Sequence, residues 1–463
     1  MGNQGIERYI ALYIPWILSL LFQSDPVLSY FIAWSGSFFI FAITLTGWVR
    51  PIPTDRHVSE QIMRPLFIMH IIFAGYMCTT SIFYFYNVLG YDDFKKTLVG
   101  VVNTDKLLLT AQCQRYYCLG HAAFVSGILI CMKYPQKQKY YIEKNTLANL
   151  LMQLALITFP VSIAFLKLPG LSQFYFQFSS LSFIAGTLAL AFAIPLKKSV
   201  NTLVCSMLYI FNFYNALTSG YKEPIIISIL VLGIFLYPNY KKLVTVVFIP
   251  ALLLLFMVLP TYIGAFRNVA SSGEADNEES AQIALDAALS ETDNSNWGFL
   301  VYRLSEIDMF TMFVQSTPAN VDFYGTLLLK QSAIAIVPRV FWPSKPVTEA
   351  LVMERVYDAG VVNRMSNVSA KPAVIVDAYL SGGTPAIFIC MFVYGAVAQL
   401  ISNKAEYLFG GYILGTALIF SGLFQLFWRG LSFEFLINSV FWSYVSMFAV
   451  FRVMRSKNIL KEA

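Results

Sequence analysis

Charge is what this 463-residue chain has least of. Only 13% of its residues are Asp, Glu, Lys or Arg, against 57% apolar, which is too little polar material to clothe a soluble globule of this length. Histidine occurs three times and cysteine six. Cys78, Cys131, Cys205 and Cys390 fall inside apolar runs and only Cys113 and Cys118 lie close together, so they read as isolated small hydrophobes, and neither a disulfide framework nor a metal site is expected. No small-residue cleavage site follows the opening residues, and the first apolar run, preceded by Arg8, is expected to be retained. The net charge of +6 is too modest to point to nucleic acid as a partner.

What is present instead is grease in long runs. Apolar stretches recur near 9–23, 28–49, 65–88, 115–132, 146–166, 173–196, 199–218, 223–238, 243–264, 386–402, 407–427 and 433–452, most of them long enough to cross roughly 30 Å of hydrocarbon as a helix. The expected fold is an all-α polytopic membrane protein with about twelve spans. An even count puts both ends on one side. The connections Arg50–Arg64, Lys133–Lys144, Lys197–Lys198 and Lys241–Lys242, with Arg8, Lys404 and the tail from Arg452 to Lys461, share that side, which the positive-inside rule makes cytoplasmic.

Three sections result: an N-terminal bundle of about nine spans over 1–264, a large external segment over 265–385, and about three C-terminal spans with a basic tail over 386–463. The external segment opens at Arg267 and continues through a run of carboxylates, from Glu274 to Asp293, that reads as a solvated loop. An amphipathic helix is expected around Arg303, with Leu300, Leu304, Ile307, Phe310 and Val314 at helical spacing and Asn294 or Ser295 as its cap. The apolar stretch Thr326–Val337 is too short to span and reads as a re-entrant or interfacial helix stopped by Pro338.

The sequence "AIVPRVFWPSKP", Ala335 to Pro346, follows at once. Pro338, Pro343 and Pro346 stiffen the backbone, so Arg339 and Lys345 lose little conformational entropy on meeting an anion. Trp342 suits the headgroup layer. Arg364, Lys371 and Arg429 fall on the same external side, and Asp377 precedes the Gly382–Gly383 break. The cations are candidates to converge on one external cavity and bind phosphate, for which Arg is well shaped. As boundary residues, the same cations would instead snorkel to headgroups or pair with the acidic loop.

The stretch "IVPRVFWPSKP", preceded by "FYGTLLL" and followed by "KPAVIVDAYLSGGTPAIF", resembles the Pro-Arg-x-x-Trp-Pro-x-Lys-Pro element of Wzy-type oligosaccharide repeat-unit polymerases. "NALTSGYKEPIIISILVLGIFL" is similar to the Ser-Gly-x-Lys turn before a span in that family. Together these cover roughly Asn215 to Pro385. Relatives tend to place an acidic residue before an aromatic and "FG", where this chain has Asp377, Tyr379 and "SGG".

The resemblance implies a lipid-donor glycosyltransferase of GT-C-like architecture in the bacterial inner membrane. It would move a growing glycan from undecaprenyl diphosphate to the non-reducing end of a lipid-linked repeat unit at the periplasmic face. The implied partners are those lipid-linked units, membrane lipids and a chain-length regulator; no cofactor and no metal are implied. Arg339, Arg303 and Asp377 are the expected catalytic residues, with Glu306, Asp308 and Glu434 as further candidate bases. Arg267, Tyr324, Trp342, Lys345, Arg364, Lys371 and Arg429 are expected to bind substrate. An O-antigen ligase and a lipid-linked oligosaccharide flippase are the rival readings. The ligases rely on a periplasmic His, whereas His57 lies in a cytoplasmic connection here and His70 and His121 lie within spans. A carrier is expected to bury charges along a path through the spans.

Overall fold

The computed structural model describes residues 5–92, 94–96, 102–134, 139–218, 222–272, 277–290, 297–304, 306–365 and 369–463. Lipid offers the backbone no hydrogen bonds, so the apolar runs resolve into helices, which satisfy their own N–H and C=O groups. In chain order the principal ones are α1 Pro26–Leu45, α2 Ile68–Val88, α3 Thr104–Cys131, α4 Lys144–Lys167, α5 Ser172–Ala193, α6 Ser199–Leu217, α7 Ile249–Ser272, α8 Asn277–Ser290, α9 Ile307–Ser316, α10 Leu327–Ile336, α11 Thr348–Asp358, α12 Val374–Leu408 and α13 Phe433–Ser456. Among the described residues, α1, α2, α4, α5, α12 and α13 are long and apolar enough to cross a membrane. The chain is therefore an all-α membrane protein.

The elements fall into two compact units. One joins residues 1–140 to most of 300–457; the other is essentially 141–299. In the second unit, α4 packs along α5, and α7 along α8. The α7–α8 pair closes a small core of Ile225, Leu259, Tyr262, Ile263, Phe266 and Ala284, pinned where the Tyr262 hydroxyl donates to Leu217 O at 3.0 Å.

The first unit is organised on α3. This helix carries Gln114 and His121 and falls short of the composition of a lipid-exposed span, yet every residue from Ala122 to Leu129 is buried. A helix buried all round is central, and its polar groups must find protein partners. Gln114 does so, accepting from Ser81 Oγ at 2.7 Å and donating to Cys78 O at 3.1 Å. His121 and His70 face each other, Nε2 to Nε2, at 2.7 Å. Along its other side α3 crosses α12 so closely that a Cβ on Gly395 would collide with the Phe124 carbonyl, and one on Gly127 with the Phe392 carbonyl. Small residues allow this approach.

The Gly382–Gly383 break expected ahead of the span from 386 is present: both glycines leave helical φ/ψ (Gly383 at φ 67°), so α12 is a short helical segment from Val374 kinked there into the helix that runs on to Leu408. One expected span is built differently. The span expected over 407–427 is instead a π-helical stretch Tyr412–Phe420, entered through Gly410 and Gly411 at positive φ and followed by the single turn Leu426–Arg429.

Near its end, α12 is clamped. Arg64 donates from Nε and Nη2 to Glu406 at 2.8 and 3.0 Å, from Nη1 and Nη2 to Asp55 at 2.8 and 2.6 Å, and from Nη1 to Gln61 at 2.7 Å. Its guanidinium carbon lies 3.8 Å from the centre of the Tyr134 ring. All five donors of a buried guanidinium are thereby used. The bond from Arg64, outweighing burial, holds the Asp55 carboxyl below its ordinary pKa.

Two outcomes follow from this packing. Gly395→Val should lower stability by about 1–3 kcal/mol, the cost of forcing bulk into a filled contact, read as a lower unfolding midpoint in detergent; an unchanged midpoint would contradict the close crossing. Because the folded pKa of Asp55 is depressed, its stabilisation is complete above the ordinary value of 3.8 and is lost as pH falls through the folded value. Wild type should lose more stability than Asp55→Asn on acidification below about pH 4, measured as midpoint against pH for the two proteins.

Candidate functional site

The Pro-rich stretch is a tight cap on α10. Helices leave their last carbonyls without internal partners, and here three are served from outside. Lys345 Nζ donates to Ala335 O at 2.9 Å and Val337 O at 2.8 Å, and Trp442 Nε1, from α13, donates to Ile336 O at 2.8 Å. Lys345 is buried, and burial, followed by the Arg339 charge beside it, lowers its ammonium pKa. Arg339 is placed differently. Among the described residues its guanidinium donates to the Pro343 and Pro346 carbonyls, at 3.5 and 3.2 Å, and it remains half-exposed.

Beside Arg339, Phe341 is 78% exposed and Trp342 38%, with Val340 and Val347 also open. The Trp342 Nε1–H donates to Ser344 Oγ at 3.1 Å. Below the loop, α10 buries Leu328, Ser332 and Ala335, packs along α13, and leaves Leu327, Leu329 and Lys330 outward. The helix is too short to span a bilayer, and its capping loop presents an exposed apolar rim around a half-exposed guanidinium.

Behind this loop lies a buried ion cluster. Arg355 donates from Nε and Nη2 to the two oxygens of Asp377, at 3.0 and 2.9 Å, and from Nη1 and Nη2 to those of Glu434, at 2.9 and 2.7 Å. The Phe433 N–H donates to Asp377 Oδ2 at 2.8 Å. All three side chains are essentially without solvent exposure. One cation facing two carboxylates leaves an excess negative charge, and the fold places it well. Asp377 sits in the first turn of α12 and Glu434 in the first turn of α13, where helix dipoles favour anions. Burial opposes the charge on Arg355, but the two carboxylates outweigh it and raise its pKa.

The other expected site residues are dispersed. Arg364 is exposed and pairs with Glu354 and Asp358, each at 2.9 Å. Lys371 reaches Glu349 at 3.3 Å and lies 4.3 Å from the centre of the Phe435 ring. The Tyr324 backbone N–H donates to Leu380 O at 2.9 Å, and burial, with Asp358 adding, pushes its phenol pKa up. Arg429 is half-buried and lines a small cavity with Tyr76. The side chains of Arg267 and Arg303 lie outside the described residues, as do Asn294 and Ser295 and the carboxylates Glu274, Asp276, Glu291 and Asp293. Glu306 and Asp308 are half-buried at the start of α9, where the Tyr76 hydroxyl donates to Glu306 Oε1 at 3.3 Å. Among the described residues no group of three or more His, Cys, Asp or Glu side chains is placed to hold a metal ion.

Arg355 is the residue that sequence reasoning passed over. Its signal was its position: it lies on the inward face of α11 beside Val352 and Val356, where a charge is unexpected unless paired.

A multi-helix membrane protein with a buried ion cluster and a proline-braced cap on a short apolar helix is thus the class this chain defines. It belongs to the family described as a domain of unknown function, DUF8712, whose match spans residues 14–462. Neither a curated protein nor a solved structure matches it.

Removing Arg355 alone strands two buried carboxylates. Arg355→Met should cost about 3–5 kcal/mol, whereas the triple variant with Asp377→Asn and Glu434→Gln should regain most of that loss. Unfolding midpoints of the two proteins in the same detergent check this; equal midpoints would refute it.

Proposed function

We propose that the protein is a polysaccharide polymerase. It moves a growing glycan from undecaprenyl diphosphate onto the non-reducing end of a lipid-linked repeat unit, at the periplasmic face of the bacterial inner membrane. In this reading the chain has about twelve spans in a GT-C-like arrangement, both termini are cytoplasmic, and a chain-length regulator is a further partner.

One observation carries the proposal. Lys345 is consumed in capping α10 while Arg339, whose guanidinium donates to the Pro346 carbonyl, stays half-exposed beside open Phe341 and Trp342. Such a fixed cation beside open aromatic rings is suited to the phosphates of a polyprenyl diphosphate at a membrane surface.

The chemistry needs two groups. The acceptor hydroxyl oxygen attacks the anomeric carbon of the donor glycan, the bond from that carbon to the diphosphate oxygen breaks, and the hydroxyl proton passes to a carboxylate. Arg339 offsets the charge on the departing diphosphate. The oxygens of Asp377 are held by Arg355 and the Phe433 N–H, which suits Asp377 to positioning the α11–α12–α13 junction. Half-buried Glu306, in reach of the Tyr76 hydroxyl, is the carboxylate assigned to the proton.

The pairing of His70 with His121 inside the helices favours a polymerase over a ligase that needs an external imidazole. The flippase reading draws on the broken α12, since interrupted spans recur in carriers.

Reconstitution with short synthetic lipid-linked repeat units separates these. Arg339→Ala should reduce chain extension by about two orders of magnitude, Glu306→Gln should depress kcat more than KM, and Asp377→Asn should act mainly through stability. Protein that extends no chain but scrambles lipid-linked sugars across the bilayer would overturn the polymerase reading.

A further inference from the structure

Lysines gather at one end of the second unit. Lys144 opens α4, Lys197 and Lys198 precede α6, and Lys241 and Lys242 follow the helix that ends at Leu236. Two contacts place them together. Lys198 Nζ reaches Asn145 O, beside Lys144, at 2.9 Å, and the last turn of α5 shares a core with Leu236 and Val244 through Ala191. Lys198 is half-exposed and the other four are exposed. Among the described residues none of the five pairs with a carboxylate. Glu143, next to Lys144, is held by Lys461 at 2.8 Å, and Glu462 follows Lys461 on the tail strand. Ammonium groups crowded without counter-charge repel one another, and a bound anion relieves that cost.

One of them is held in place. Asn149 Oδ1, on α4, accepts from Lys198 Nζ at 3.0 Å and from Asn201 Nδ2, on α6, at 2.8 Å. An ammonium has three donors and no acceptor, and two of Lys198's go to Asn145 O and Asn149 Oδ1. One N–H of Lys198 and the amide N–H groups of exposed Asn149 are left for a ligand that accepts. Just past the lysines the surface turns apolar: Val200, Leu203 and Met207 on α6, and Leu243, Val246 and Val247 after Lys242, are all exposed. A small soluble anion has no use for that surface, whereas a lipid with a negative head and acyl chains fits both parts.

We propose that this end of the second unit binds an anionic phospholipid, with its phosphate seated on Lys198 and Asn149 between α4 and α6 and its chains along the exposed face of α6. Lys144, Lys197, Lys241 and Lys242 supply the surrounding positive field. The site is independent of the polymerase reading.

The test uses full-length protein in detergent, titrated with phosphatidylglycerol, phosphatidylcholine or inorganic phosphate, with bound lipid counted by native mass spectrometry. Phosphatidylglycerol should bind tighter than phosphatidylcholine. Lys198→Gln should weaken it about fivefold, as for one charge at an anionic lipid surface, and Lys198→Arg should recover part of that. Asn149→Ala, which changes no charge, should also weaken it, while Lys404→Gln, in the first unit, should not. If Lys198→Gln does not fold, the double variant Lys241→Gln with Lys242→Gln leaves the α4–α6 bonds intact and should show a loss of its own. Equal binding of the two lipids, or an equal loss in Lys404→Gln and Lys198→Gln, overturns the site. Displacement of the lipid by an equal concentration of inorganic phosphate overturns its assignment to a lipid.

Discussion

The Arg355 cluster is the constraint on which the rest of the first unit depends. A guanidinium and two carboxylates are withdrawn from solvent together, and the desolvation involved is recovered only if the forked geometry is good and the remaining lone pairs are filled. Both conditions are met, by four short N–H···O contacts and by the Phe433 N–H. The three groups come from α11, α12 and α13, and α13 in turn caps α10 through Trp442. The position of the Arg339 loop is therefore inherited from an ion cluster that never meets solvent.

This arrangement divides the cations into two kinds. Arg355, Lys345 and Arg64 are structural, each with its donors spent on carboxylates or helix carbonyls. Arg339 is the one in this unit whose surroundings suit a ligand, beside the open rings of Phe341 and Trp342. Proline bracing explains the contrast within one short loop. A backbone held in place lets one cation turn inward as a cap and the other lie along the rim without added ordering cost.

The fold class was legible from composition alone, because so few charges leave no alternative to lipid as the solvent for most of the chain. Helix α10 and its stop at Pro338 were legible too, from an apolar run shorter than a span followed by a residue that cannot continue a helix. The break at Gly382–Gly383 was legible as well, since both glycines leave helical φ/ψ there; the helical segment ahead of it, from Val374, was not. The distinction between Lys345 and Arg339 was also hidden: a sequence shows that two cations flank a Trp-Pro pair, but which one faces the α10 carbonyls depends on how the turn closes. The partnership of Arg355 with Asp377 and Glu434 spans 22 and 79 positions and has no local signature beyond a charge on an otherwise apolar helix face.

Helix α12 carries a locked carboxylate near each end, Asp377 at one and Glu406 at the other. Between them lies the Gly382–Gly383 kink, and from there to Glu406 the helix rises about 35 Å at about 1.5 Å per residue, close to the thickness of a bilayer's hydrocarbon core. Removing or adding one residue between Gly383 and Glu406 would rotate everything beyond it by about 100° and turn a buried anion toward the wrong neighbour. This stretch is consequently a molecular ruler whose length is set at two electrostatic endpoints, so substitutions within it are tolerable where single-residue indels are not.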